Sequence, residues 1–257
     1  MAPISEIDSH RHLPELVENL SVLLGSGGIS TDQRRALYQD LVSEHFSGCS
    51  EVVFVPFASH DHDTYTSRMQ QFLGPEGPTM VGLHTFEEPS DALSEAEGVY
   101  VGGGNSFLLI RDLHEMGLVA PIREAVLGGA PYLGVSAGAN VACPTMMTTN
   151  DMPIALPESF DSMGVVPFQI NPHYHPGKIR FIDGDSLSEH YGESRAQRIA
   201  EYHRHESTPV LGMWEGSFVH WDGSVGRLTG RATAFIAGAE PVEIPDGSEF
   251  GADLGTL

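Results

Sequence analysis

Through the first two thirds of the chain, short runs of consecutive apolar residues alternate with longer stretches in which apolar residues recur every three or four positions. The runs fall at 20–24, 52–57, 80–83, 99–101 and 132–135, and most end in Gly, Ser or Pro. Runs that are apolar at every position predict strands buried on both faces. Between them, 31–45, 65–72, 92–95 and 107–127 predict helices, the first opened by a capping box of Ser30 and Gln33 and the last broken at Gly117. Strand, helix, strand at this rhythm predicts a parallel sheet with helices on both faces.

After Pro153 the pattern changes. One further run, 165–170, leads into Asn171-Pro172-His173, and a helix is predicted from near Ser194, carrying Arg195, Arg198 and Ile199. The last fifty or so residues predict short strands at 210–214, 218–221, 225–228, 232–236 and 242–244, joined by glycine turns. There is no internal repeat and no biased linker. The expectation is a single α/β domain over 1–257 with an antiparallel C-terminal edge, and with 1–18 and 240–257 as peripheral extensions.

Composition narrows the partners. Of 257 residues, 35 are Asp or Glu and 13 are Lys or Arg, with Lys178 the lone lysine; the formal charge is -22. Such a field repels phosphate backbones and anionic lipid, so neither nucleic acid nor a membrane is an expected partner. At 40% hydrophobic and 19% charged, the chain has the composition of a folded protein and not of an acidic disordered tail. Cys49 and Cys143 are too few to staple a chain of this size, which suits a reducing compartment. The first twenty residues contain Glu6, Asp8, Glu15 and Glu18 and no signal-like apolar segment, and no run approaches the ~20 residues of a membrane helix. A cytoplasmic location is expected.

The segment richest in chemistry is Tyr132-Leu133-Gly134-Val135-Ser136-Ala137-Gly138-Ala139-Asn140. An apolar strand running into Gly-x-Ser-x-Gly and then into small helix-compatible residues is the pattern of a nucleophile elbow, which lifts a serine oxygen out at the carboxyl end of a sheet. On its own the pattern is equally compatible with a glycine-rich turn that starts a helix. Val101-Gly102-Gly103-Gly104-Asn105-Ser106-Phe107 also joins a strand to a helix. It lacks the last glycine of a dinucleotide-binding loop and the lysine of a P-loop. It can supply backbone N–H groups to an oxyanion, or serve as a tight turn. His173 follows an apolar strand, and Glu215, in Gly212-Met213-Trp214-Glu215-Gly216, follows another, so both belong at one end of a sheet as candidate base and orienting acid; Glu215 is equally compatible with a turn residue. The order Ser, His, Glu differs from the Ser, acid, His order of α/β-hydrolases and suits a flavodoxin-like sheet with the elbow in its middle.

These segments, together with Thr148-Thr149-Asn150-Asp151-Met152-Pro153-Ile154 and Gly192-Glu193-Ser194-Arg195-Ala196-Gln197-Arg198-Ile199, resemble the peptidase E family of α-aspartyl dipeptidases, from about Val52 to Val219. The resemblance implies a three-layer, flavodoxin-like α/β fold of the class I glutamine amidotransferase type, with a mostly parallel sheet. It implies a serine peptidase, without metal or cofactor, that releases an N-terminal aspartate from small Asp-X peptides. Ser136 would be the nucleophile, His173 the base and Glu215 the orienting carboxylate, with the N–H groups of Gly103 and Ala137 as oxyanion hole. Asp151, Arg195 and Asn105 would meet the substrate, Arg195 its β-carboxylate and Asp151 or Glu193 its ammonium. Arg195 and Arg198 fit equally an exposed helix face. The segment up to Gly28 and the tail after Gly238 depart from the family pattern, and neither is expected to touch the triad. A homodimer is compatible with the sequence.

Four His-x-His pairs, His10/His12, His60/His62, His173/His175 and His203/His205, raise metal-dependent hydrolysis as a rival, but His60-Asp61-His62-Asp63-Thr64-Tyr65 lacks a further histidine for a converging set. Two nearer rivals share the fold: a cyanophycinase-like β-aspartyl peptidase and a non-catalytic small-molecule binding module. One lysine beside twelve arginines in so acidic a chain also suggests adaptation to salt.

Overall fold

A computed structural model describes residues 19–75 and 77–257. Five parallel strands, β1 (Val22–Gly25), β2 (Glu51–Val55), β3 (Thr79–Gly82), β4 (Val99–Val101) and β5 (Tyr132–Val135), pair in the order β1-β5-β4-β2-β3. Successive residues face opposite apolar clusters: Val22 and Leu24 one, Leu23 the other, and likewise Val53 and Val55 against Val52 and Phe54. Both faces are therefore buried, which is why the sequence shows continuous apolar runs and no alternation.

Helices α1 (Asp32–His45) and α2 (His62–Leu73) cover one face. On the other lie α3 (Pro89–Ser94), α4 (Ser106–Glu115), α5 (Val119–Leu127) and α6 (Ala137–Ala142). Gly117 breaks α4 from α5 as predicted. At φ 67 it lets Leu118 N–H reach Leu113 O at 2.8 Å and its own N–H reach His114 O, a Schellman closure. The start of α1 differs from the expected box. Thr31, one residue nearer the helix, is the N-cap and accepts from Arg34 N at 3.2 Å, while the Ser30 hydroxyl faces the Arg34 side chain.

The last third divides between two sheets. The elements are β6 (Gln169–Tyr174), a hairpin of β7 (Arg180–Asp183) and β8 (Ser186–Glu189), α7 (Arg195–Tyr202), β9 (Val210–Trp214), β10 (Phe218–Trp221), β11 (Gly226–Thr229), β12 (Ala232–Phe235), β13 (Val242–Ile244) and β14 (Glu249–Phe250). Strands β10, β11 and β14 extend the main sheet antiparallel beyond β1, the expected edge. Strands β6, β9, β12 and β13 form a separate four-stranded sheet, with β6 and β9 parallel. Helix α6 packs between β5 and β6, and a single apolar cluster crosses both sheets.

Three further features depart from the sequence pattern. The strand expected at 165–170 begins only at Gln169, so Pro172 and His173 lie within it. The β7–β8 hairpin has no counterpart in the sequence pattern, because Phe181, Ile182 and Leu187 are exposed and carry no core-facing alternation. Residues 240–257 are not peripheral: β13 and β14 edge the two sheets, and Ile244, Phe250 and Leu254 are buried, though too sparsely spaced to show a period. The segment 1–18, with His10/His12 and the acidic start, lies outside the described residues. No helix among the described residues is long and apolar enough to cross a membrane.

Candidate active site

Parallel strands end together, and the loops after β1, β4 and β5 meet at one edge of the main sheet. Ser136 follows β5 at φ 53, a left-handed conformation that costs a non-glycine residue of the order of 1 kcal/mol and is retained where the fold over-determines it. Its N–H donates to Gly25 O at 2.9 Å, which ties the elbow to the end of β1. The turn is sharp enough that a Cβ on Gly138 would stand 2.1 Å from Val101 O.

The other two members of the triad come from the second sheet. In β6, Asn171 pairs with Gly212 and Tyr174 with Trp214, so Pro172 and His173 together oppose Met213 alone. This bulge, with Pro172 unable to donate to the ladder and His173 at φ 55, turns the imidazole toward the main sheet. His173 Nε2 lies 3.0 Å from Ser136 Oγ and Nδ1 lies 2.7 Å from Glu215 Oε2, Glu215 being the first residue past β9. The structure thus joins Ser136, His173 and Glu215 in one hydrogen-bonded chain. A carboxylate on Nδ1 holds that proton there and leaves Nε2 unprotonated toward the serine, the arrangement a general base needs.

The opening loop, expected to stand apart from the triad, supports it. Ser26 is fully buried; its hydroxyl accepts from His173 N at 2.8 Å and donates to Met213 O at 3.1 Å, closing the gap the bulge leaves in the ladder. Gly27 and Gly28 follow with φ near 90° and lie under the side chains of His173 and Glu215. A Cβ on the first would be 2.9 Å from the His173 ring, and on the second 2.6 Å from Glu215 Cγ. The sequence pattern singles out none of these three, because Ser-Gly-Gly reads only as a turn.

Gly103 lies against the nucleophile, a Cβ there falling 3.2 Å from Ser136 Cβ, and its carbonyl accepts from Tyr65 Oη at 2.9 Å. Ala137 is the first residue of α6, so its N–H has no acceptor within the helix. Asp151 Oδ2 accepts from both Ser106 N and Ser106 Oγ at 2.7 Å, at the start of α4. Its loop is laced to β6 by Thr148 Oγ1 to Ile170 O, Asn150 Nδ2 to Pro172 O and Asn171 Nδ2 to Thr148 O. Asn105, expected at the substrate, also holds the start of α4. Its Oδ1 caps α4 at Phe107 N and Leu108 N, and its Nδ2 holds Met152 O.

Arg195 opens α7 behind Ser194, whose hydroxyl and backbone form a capping box with Gln197. The side chain is half-buried, and Nη1 is shut off from solvent without a hydrogen-bond partner. Burial lowers its affinity for a proton, Arg198 adds to that, and the Glu215 and Asp151 carboxylates oppose it. An unpartnered buried donor on a guanidinium that feels two carboxylates of the site is a place for an anion to complete. Arg198 and Glu193 are exposed and only 3.9 Å apart, a weak surface pair. His60 and His62 frame Asp61, which caps α2 at Thr64 N, and among the described residues no three His, Cys, Asp or Glu side chains converge as metal ligands.

The model for peptidase family S51 matches residues 21–229. The chain belongs to that family. As an S51 peptidase it is 43% identical to peptidase E of Streptomyces coelicolor over 82% of its own length and 85% of that protein's. It is 46% identical to the "Probable alpha-aspartyl dipeptidase" of Drosophila melanogaster, over 74% of its length and 76% of the relative's. Among solved structures, a peptidase from an acI-B1 actinobacterium has the same fold, with a TM-score of 0.61 at 16% identity over 92% of this chain and 98% of that one.

Proposed function

We propose that the protein is a serine dipeptidase that cleaves after an N-terminal aspartate, with Ser136 as nucleophile, His173 as base and then acid, and Glu215 as the carboxylate that orients the imidazole. Ser136 Oγ attacks the carbonyl carbon of Asp as its proton passes to His173 Nε2; the oxyanion is met by the N–H groups of Gly103 and Ala137. His173 then hands the proton to the leaving amine, and water repeats the sequence on the acyl-enzyme. The observation that carries the Asp specificity is Arg195, whose unpartnered, half-buried guanidinium stands within the field of Glu215 and Asp151. It would take the β-carboxylate, and Asp151 the free ammonium. One α/β unit holds all of these groups. The two cysteines are free, Cys143 being buried, which supports a reducing, cytoplasmic location.

Hydrolysis of Asp-p-nitroanilide and Asp-X dipeptides tests this. Ser136→Ala should lower kcat on the order of 10⁴- to 10⁶-fold, a serine-directed acylating reagent should abolish turnover, and a chelator should leave it intact. Arg195→Ala should raise KM for Asp-X far more than for an analogue lacking the β-carboxylate. Equal losses on both substrates would remove Arg195 from that role, and turnover of β-Asp-Arg in preference to Asp-X would replace the substrate class.

A further inference from the structure

Beside the triad, a cleft of about 510 Å³ opens between α1 and α2, within the roughly 300–1,000 Å³ common for small-molecule sites, and neither Arg195 nor Asp151 lines it. Its inner end is made by Gly103 and Val135, which flank the nucleophile, and by Gly27 and Gly28, which pack beneath His173 and Glu215. The walls are apolar and aromatic: Tyr65, Met69 and Phe72 from α2, and Tyr38 from α1 above the buried Tyr100. Tyr38 and Tyr100 hydrogen-bond to each other, so their hydroxyls are satisfied and present no unmet demand to an apolar occupant. Burial raises the phenol pKa values of Tyr38, Tyr65 and Tyr100, which keeps the lining uncharged. At the rim stand Arg35 and Arg68, both exposed, neither ion-paired among the described residues.

We infer that this cleft is the leaving-group subsite, taking the side chain of the second residue of the dipeptide on its aromatic walls and that residue's terminal carboxylate on Arg35 and Arg68. The inference rests on the aspartyl dipeptidase reading. The acyl side of the scissile bond is assigned to Arg195 and Asp151, neither of which lines the cleft, and that leaves this cleft, bounded by Gly103, Val135, Gly27 and Gly28 against the triad, for the leaving residue. Only in a dipeptide does the leaving residue end in a carboxylate one residue from the cut. In a chain of net charge -22, that anion needs local cations, and two arginines at the mouth of an apolar cleft supply them. The chemistry fitted is therefore Asp followed by a large apolar or aromatic residue with a free C-terminus. Tyr65 links the subsite to catalysis: it lines the cleft and its hydroxyl holds Gly103 O at 2.9 Å, so an occupied wall steadies the oxyanion loop.

The deciding measurement is kcat/KM for Asp-Phe, Asp-Phe amide and Asp-Gly, with wild type, the Arg35→Gln/Arg68→Gln double variant and Met69→Trp. Wild type should favour Asp-Phe over its amide and over Asp-Gly by ten-fold or more. The double variant, altered only at exposed positions, should lose about ten-fold on Asp-Phe and treat acid and amide alike, and Met69→Trp should depress Asp-Phe while sparing Asp-Gly. An unchanged acid-to-amide ratio in the double variant, or equal loss on both dipeptides in Met69→Trp, overturns the subsite while leaving the dipeptidase reading standing. A wild-type enzyme inactive on every Asp-X overturns both.

Discussion

Ser26 shows how much of the catalytic geometry depends on one hydroxyl. It bridges His173 N–H and Met213 C=O across the bulge, so Ser26→Ala strands a buried donor and acceptor, at a cost of about 1–3 kcal/mol each where water cannot enter. We expect kcat to fall at least ten-fold, with KM for Asp-X nearly unchanged, because Arg195 and Asp151 are untouched; Ser26→Thr should retain more activity than Ser26→Ala if the bridge is what matters. Steady-state kinetics beside a denaturant melt separate this from simple unfolding. The hydrogen-bonded chain of Ser136, His173 and Glu215 is legible in sequence because each member stands just past an apolar run, close to a Gly or Pro that interrupts it. Ser26, Gly27 and Gly28 are not, since a small polar residue before two glycines has the same composition whether it ends a strand or carries a histidine. Asn105 is ambiguous for a related reason: the amide that would suit a substrate is also a favoured helix cap, and here it caps α4.

At the scale of elements, the contact between α1 and β10 holds a pH response. His45, in the last turn of α1, binds Tyr132 O at 2.9 Å and lies edge-on to His220 of β10; burial first, and His220 second, lower its pKa to about 4. An unfolded histidine takes up its proton near pH 6.5, so between that pH and 4 the unfolded chain binds the extra proton and stability falls as pH falls. The loss is on the order of 3 kcal/mol for this one residue, complete once pH is below 4. His45→Gln, which keeps an N–H for Tyr132 O, should flatten the decline of stability between pH 6.5 and 4, as measured by urea titration at each pH. Individual elements are largely readable from apolar period, because strands buried on both faces and helices with a Schellman stop leave strong local marks. Their assignment to two sheets is not, because β9 and β10 have the same short apolar character and only long-range pairing separates them. The late start of β6 has the same origin: Val165 and Val166 are buried with their N–H groups on Ala142 O and no strand partner, and burial alone reads as a strand.

The whole molecule carries its charge unevenly in effect. Cations are few, and several are held in surface pairs such as Arg227 with Asp222 and Glu249, so the net field opposes an Asp-X substrate that is itself anionic near neutral pH. Added salt shortens the reach of that field to about 8–10 Å at 0.1–0.15 M. Stability and kcat/KM for Asp-X should both rise with ionic strength from ~10 mM upward, and kcat/KM for a net-neutral substrate should rise less. A flat response in both would remove the link between acidity and salt. The division of the triad between sheets has one more consequence, and it concerns the order of synthesis. Ser136 is complete in the first 140 or so residues, but its base lies on β6 and the acid that orients that base follows β9, while β10 must still reach back to pair with β1. A chain interrupted anywhere before Glu215 bears a serine and no oriented imidazole. With Ser136, His173 and Glu215 in the roles proposed above, the chain holds no oriented base until its last third has emerged and docked.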